Sequence, residues 1–140
     1  MTIDEILENF ALLDDWEDRY RYVIELGKEL DPLPESERSA QNKVRGCASQ
    51  VWLSTHVDQR QKMPRLTFRG DSDAHIVRGL VAIVIALFNN KTPSEIRHTD
   101  ADALFEQIGL SEHLTAQRAN GLRALVDRIM ADADALHVTT

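Results

Sequence analysis

Residues 51–57, Val51-Trp52-Leu53-Ser54-Thr55-His56-Val57, put Val51, Leu53, Thr55 and Val57 on one side and Trp52, Ser54 and His56 on the other. A period of two is the signature of a half-buried strand. Arg65-Leu66-Thr67-Phe68-Arg69 alternates in the same way, so residues 58–64 are read as the loop of an antiparallel hairpin. Gln41 to Arg45 is read as a third, shorter strand. Gly70-Asp71-Ser72-Asp73 then supplies a turn and candidate N-caps, after which Val77, Leu80, Val81, Val84, Ile85 and Phe88 follow helical spacing. Leu80 to Phe88 is apolar on every side, which makes this helix central and covered by its neighbours.

Working outward, Thr2 with Glu5 has the form of a capping box, and Ile3, Ile6, Leu7 and Phe10 share a face of a helix running to about Leu13. Asp14 with Glu17 repeats the cap, and Trp16, Tyr20, Val23, Ile24 and Gly27 form a second stripe that stops before Pro32 and Pro34. These two helices are expected to form a hairpin. Asp31 to Ala40 is a polar, proline-broken connection. Beyond Asn89-Asn90, Thr92-Pro93-Ser94-Glu95 starts a short helix with proline at its first position, and Asp102 to Ile108 supplies another. Thr115 opens a long last helix, with the stripe Leu122, Leu125, Val126, Ile129, Met130 and Ala133 ending near Leu136 and a frayed tail at 137–140. The expected architecture is α+β: a small antiparallel sheet of about three strands packed on one face by helices, as a single domain over residues 1–140.

Sixteen Lys plus Arg against 23 Asp plus Glu leave a formal charge of −7, which disfavours nucleic acid and favours basic protein partners. The apolar run Leu80 to Phe88 is far shorter than the roughly 20 residues of a membrane span, so no membrane partner is expected. The start, Met1-Thr2-Ile3-Asp4-Glu5, lacks the basic-then-apolar pattern of a signal peptide, and a cytoplasmic location is expected.

Cys47 is the one cysteine of the chain and stands in Gly46-Cys47-Ala48, between a basic stretch and the run Ser49 to Leu53. A lone sulfur closes no intramolecular disulfide and builds no multi-thiolate metal site. Its chemical options are nucleophilic or sulfur-carrying, set against the bland alternative of a small buried hydrophobe. Gly46 gives backbone freedom and Ala48 keeps the approach open. An extended Lys43 to Cys47 would put Lys43 and Arg45 on the side of the sulfur, although at roughly 7 Å spacing their help is screened.

The five histidines, His56, His75, His98, His113 and His137, sit in no hydrolase signature and show no metal-ligand spacing, so neither a histidine base nor a metal is expected. No glycine-rich loop follows a strand, which leaves a nucleotide site unsupported. Asp71 and Asp73 are read as helix caps. Arg118 falls in the first turn of the last helix, where a cation opposes the macrodipole. An ion pair with a nearby acid, a stem laid over apolar surface, or contact with a partner or an anionic sulfur species would offset that.

Several stretches together resemble the SufE family of sulfur acceptors. They are Trp16-Glu17-x-x-Tyr20-x-Tyr22-x-Ile24-Glu25-Leu26-Gly27, Gln41-Asn42-x-x-x-Gly46-Cys47-x-Ser49-Gln50-Val51-Trp52, Gly70-Asp71-Ser72-Asp73-Ala74-x-Ile76-Val77-x-Gly79-Leu80, Thr92-Pro93, and His113-Leu114-x-x-x-Arg118-x-x-Gly121-Leu122. The resemblance implies a SufE/IscU-like fold with Cys47 on a shielded loop. It also implies an activity: Cys47 takes persulfide sulfur from a pyridoxal-phosphate-dependent cysteine desulfurase (SufS- or CsdA-like), stimulates it, and delivers sulfur to an iron-sulfur scaffold complex. The pyridoxal phosphate would belong to the partner, with no cofactor on this chain. Gly46, Gln50, Asp73 and Arg118 become candidates for partner binding or loop support. A non-catalytic regulatory module of a desulfurase, and a CsdE-type paralogue feeding tRNA sulfur modification, are the alternatives. An IscU-type scaffold would need several cysteines.

Overall fold

The computed structural model describes residues 2–47, 49–60 and 62–139, and in residues 111 and 136–139 the backbone alone. Two N-terminal helices, α1 (Ile3–Ala11) and α2 (Trp16–Lys28), precede a single 3-10 turn at Glu35–Glu37. The hairpin β1 (Val51–Asp58) and β2 (Arg65–Ser72) follows, then α3 (His75–Phe88), the short α4 (Pro93–Arg97), α5 (Ala101–Gln107) and α6 (Leu110–His113), and the long α7 (Ala116–Thr139). The expected α+β class is what the chain adopts. The strands are antiparallel in the register Val51↔Ser72 to Asp58↔Arg65. The expected third strand contracts to an isolated bridge, Lys43↔Trp52, because residues 45 and 46 turn at once.

Local chemistry accounts for most boundaries. Thr2 caps α1 through Glu5, and Thr92 with Glu95 forms a reciprocal capping box ahead of Pro93. α2 is capped by Asp15 rather than by Asp14, and α5 by Asp100, so it begins one residue earlier than expected. α6 has no counterpart in the sequence reading, and Gly109 before it has a φ of 78°. α7 continues through Thr139, so the expected fray at 137–139 is helical backbone, and Thr140 lies outside the described residues.

α3 is the hub that the apolar run predicts, with Leu80, Val81, Ile83, Val84 and Phe88 each almost wholly buried. It packs on β2, on α2 and on α7. Its approach to α2 is close enough to require glycine on both helices. A Cβ on Gly79 would lie 1.9 Å from the Val23 carbonyl oxygen, and one on Gly27 would lie 2.7 Å from the Gly79 nitrogen.

The sheet departs from simple alternation. All of Val51, Trp52, Leu53 and Ser54 are buried, while His56 and Val57 are exposed. Segment 33–42 folds across the back of the near end: the Arg38 guanidinium lies 5.4 Å from the Trp52 ring centre, and Ser54 Oγ donates to Glu37 at 3.1 Å. The far end is tied to the turn after α3 and to α7: Leu66 N donates to Lys91 O at 2.9 Å and Thr55 Oγ1 to Asp132 at 2.7 Å.

Asp71 fastens that segment, and is not the helix cap expected for it; α3 begins after Ala74 with no side-chain cap. The Asp71 side chain is 2% exposed. It accepts from Leu33 N at 3.1 Å, Arg38 Nη2 at 2.7 Å and Ser72 N at 2.8 Å. Arg78 Nε stands 3.1 Å from its other oxygen as an ion pair without hydrogen-bond alignment, while Arg78 Nη2 donates to Leu30 O.

Two substitutions test this scaffold by denaturant unfolding. Gly79→Ala is expected to lose about 2–3 kcal/mol, whereas an unobstructed helix position would gain up to about 1 kcal/mol from the same change. Asp71→Asn is expected to cost about 3 kcal/mol, the low end for a broken buried pair because Arg38 and Arg78 keep some water.

Candidate functional site

The chain from Asn42 to Leu53 doubles back on itself. Val44 N donates to Val51 O at 2.8 Å and Leu53 N to Asn42 O at 2.8 Å, closing a neck from which residues 45–50 project as a loop. Cys47 sits at its tip. Gly46 has a φ of 92°, a conformation that other residues adopt only under strain, so the glycine is required by the turn that aims Cys47. That turn breaks the extended face expected for Lys43, Arg45 and Cys47, and both cations are exposed. Ala48 lies outside the described residues.

The loop is folded inward. Cys47 is half-buried, and its Sγ–H donates to the Gly121 carbonyl of α7 at 3.5 Å. A Cβ at position 121 would stand 3.4 Å from the sulfur, an ordinary van der Waals distance, so the loop lies directly against this turn of the helix. The thiol borders a cavity of about 260 Å³ with Val51, Val77, Leu80 and Leu125 among its apolar walls, and Thr115 and Arg118 among its polar ones. Burial pushes the Cys47 thiol above its ordinary range, and no cation opposes that shift. In this position the sulfur is a protonated, weakly nucleophilic thiol.

Both ends of the loop are anchored. At the outgoing end, Asp73 Oδ1 accepts from Gln50 N at 3.1 Å, while Asp73 N and Ser72 Oγ donate to Gln50 O at 3.3 and 2.8 Å. Gln50 thus enters through its backbone, and Asp73 is a loop clamp and not the helix cap expected. At the incoming end Arg128 Nη2 donates to Gln41 O at 2.8 Å. Arg128 was not singled out by the sequence, where it reads as an ordinary solvated position on a helix.

Arg118 comes to the cavity wall in the first turn of α7, where Thr115 Oγ1 accepts from its backbone N–H at 3.2 Å. Among the described residues no carboxylate pairs with its guanidinium, so the ion pair that would offset its position is not formed.

The structure therefore brings Cys47 and Arg118 to one cavity, places Gly46 in the turn before Cys47, and sets Gln50 and Asp73 at the outgoing end of the loop. Gly121, Thr115 and the apolar floor are additions. An isolated glycine within a helical stripe is the one signal that could have marked Gly121, since it costs about 1 kcal/mol against alanine and asks for a packing reason.

The histidines stand elsewhere. His113 stacks on Trp16 at 4.3 Å, His98 binds the Ser94 carbonyl at 2.7 Å, and His56 meets Ser54 at 2.9 Å. Among the described residues no cluster of His, Cys, Asp and Glu is arranged to hold a metal, and no helix is long and apolar enough to cross a membrane.

Comparison with known proteins gives a consistent result. Residues 4–133 match the SufE family, described as an Fe-S metabolism associated domain. An uncharacterized SufE-like protein of Rhizobium meliloti (strain 1021) is 59% identical over 133 residues, covering 95% of each chain. Another, from Rhizobium etli, is 58% identical over 132 residues, covering 94% of this chain and 89% of the relative. The solution structure of a hypothetical protein from Thermus thermophilus superposes with a TM-score of 0.71 over 100% of both chains at 22% identity, a likeness of fold.

The raised thiol pKa sets a direction for pH. Docking is favoured while the sulfur is protonated, below the ordinary cysteine range, and weakens as pH rises through the elevated folded value. Iodoacetamide labelling of the free protein is therefore expected to be slower near neutrality than that of a cysteine peptide, with a midpoint above the ordinary range, and to match the peptide in denaturant. Equal rates in buffer would show that the loop is not docked in solution.

Proposed function

The chain belongs to the SufE family, and we propose that it is a sulfur acceptor in iron-sulfur metabolism that carries sulfane sulfur on Cys47. The observation that supports this most is the placement of its one thiol: a loop tip, half-buried over a cavity with space beside the sulfur and an uncompensated cation on the wall. The donor in this reading is a pyridoxal-phosphate-dependent cysteine desulfurase whose catalytic cysteine bears a persulfide.

Transfer is an exchange between sulfurs. The Cys47 thiolate attacks the terminal sulfur of the donor persulfide, a new S–S bond forms, the donor's S–S bond breaks, and its electron pair leaves on the donor cysteine as a thiolate. No net oxidant is consumed. The product is a Cys47 persulfide and a donor thiolate free for its next turnover, so draining the donor would also stimulate it.

Two features of the fold bear on this step. The thiolate is disfavoured where the sulfur docks, so attack requires the loop to leave the cavity. With the neck held at Val44 and Val51, the three residues to Cys47 allow a reach of about 10 Å. Once returned, the persulfide would lie against apolar walls away from water and oxidants. Arg118, lacking a carboxylate, suits an anionic sulfur species or an acidic group of the docked donor, while Asp73 and Gly46 support the hinge. The recipient in this reading is an iron-sulfur scaffold complex.

Intact-mass measurement tests the assignment. After incubation with a cysteine desulfurase and free cysteine under non-reducing conditions, the protein is expected to gain the mass of one sulfur, lost again with reductant and absent in Cys47→Ser. The same variant is expected to bind the desulfurase and fail to stimulate it. Undiminished stimulation by Cys47→Ser would favour a regulatory binding module in place of the carrier.

A further inference from the structure

A second trough, of about 510 Å³, lies between α5 and α7. The α7 residues lining it, among them Ala119, Val126 and Met130, fall about 130° around the helix from Arg118, Gly121 and Leu125 of the Cys47 cavity, with Leu122 touching both. Ala119, Leu122, Val126 and Met130 are spaced by three, four and four residues, the pattern of a helix-packing seam about 16 Å long. The seam is only partly used. Leu122 is buried, but Val126 and Met130 are half-exposed and Ala119 is exposed. Phe105 of α5 and Leu114 form the facing wall.

The rim is acidic. Asp100, Asp102, Glu106 and Asp127 stand around the trough against Arg123 alone, and Arg123 is engaged with Asp102 across the opening at 3.3 Å. That exposed pair is a weak clasp that an incoming cation could replace. Neither Glu106 nor Asp127 has an ion partner among the described residues. A second copy of this chain would bring the same carboxylates face to face. A strand would find no free backbone edge, because both walls are helices.

We propose that this trough is a docking site for an amphipathic helix of a partner protein, one presenting an apolar ridge at i, i+3 or i+4, and i+7 flanked by lysine or arginine. The inference stands on the trough itself and does not depend on sulfur transfer. The seam supplies the apolar contact and the three-turn length, and the rim sets the charge of the occupant.

The test uses the full chain and a dye-labelled synthetic helix about four turns long, with leucine on the ridge and lysine on the flanks, followed by fluorescence anisotropy. A peptide of the same composition with the ridge scrambled controls for general attraction to an acidic protein. The ridged peptide is expected to bind at least about tenfold more tightly than the scrambled one. Val126→Glu is expected to remove that preference. Should Val126→Glu disturb folding, the exposed pair Glu106→Lys with Asp127→Lys is expected to weaken binding about tenfold or more without altering the circular dichroism. Equal binding of the two peptides, no binding of the ridged one, or unchanged affinity in both variants would overturn the proposal. So would self-association of the unsubstituted chain that Val126→Glu abolishes, since a second copy would then fill the trough.

Discussion

The carboxylate of Asp71 is the point on which the rest of the molecule depends. It lies almost wholly out of water, where an unpaired charge would be prohibitive, and is held by the Leu33 and Ser72 amides and the Arg38 and Arg78 guanidiniums. Those partners come from the loop after α2, the end of β2 and the first turns of α3, so one acid ties the β2–α3 junction to residues 33 and 38 positions earlier. Arg38, once fixed there, lies over Trp52 and completes the cover on the back of the sheet. A two-stranded hairpin is marginal by itself. Here it is sandwiched between α3 and a tethered loop.

The same loop leads into the residues that present Cys47, which links the structural hub to the chemistry. The neck at Val44 and Val51 is a backbone hydrogen bond and the clamp at Gln50 joins its backbone to Asp73 and Ser72, each bond worth about 1 kcal/mol net. By comparison the tip is lightly held, by a long S–H contact to Gly121 and the burial of part of one small side chain. Cys47 is thus less firmly held than the two ends of its loop, and where it docks burial disfavours the thiolate.

α7 brings the two recessed surfaces together. Its buried stripe, Leu122, Leu125, Ile129 and Ala133, anchors it to the core. On one flank it offers Gly121 and Arg118 to the Cys47 loop, and on the other a half-exposed apolar seam rimmed by acids. Leu122 is common to both, so the first turns of this helix lie between the thiol and whatever occupies the trough.

The periodicities were enough to reveal the hairpin, the central apolar helix, the long last helix and the caps at Thr2 and Thr92, because these depend on side chains close in sequence. Cys47 was conspicuous as the only cysteine, and Gly46 as the residue freeing its backbone. What no local pattern could reveal was long-range. Asp71 and Asp73 look like caps because acids before a helical stripe usually are, yet tertiary contacts recruit one to a buried ion pair and the other to the Gln50 backbone. The third strand shrank because Gly46 turns the chain where an extended reading would continue. Gly121 and Arg128 acquire meaning only when α7 is laid beside residues 74 and 87 positions earlier, and the trough seam only when α7 faces α5. The sequence by itself determined most of the elements and singled out the one thiol; the tertiary structure alone decided that this thiol is held inward, half-buried against α7 in a cavity whose wall also carries Arg118, since burial and charge pairing are properties of neighbours that only folding assembles.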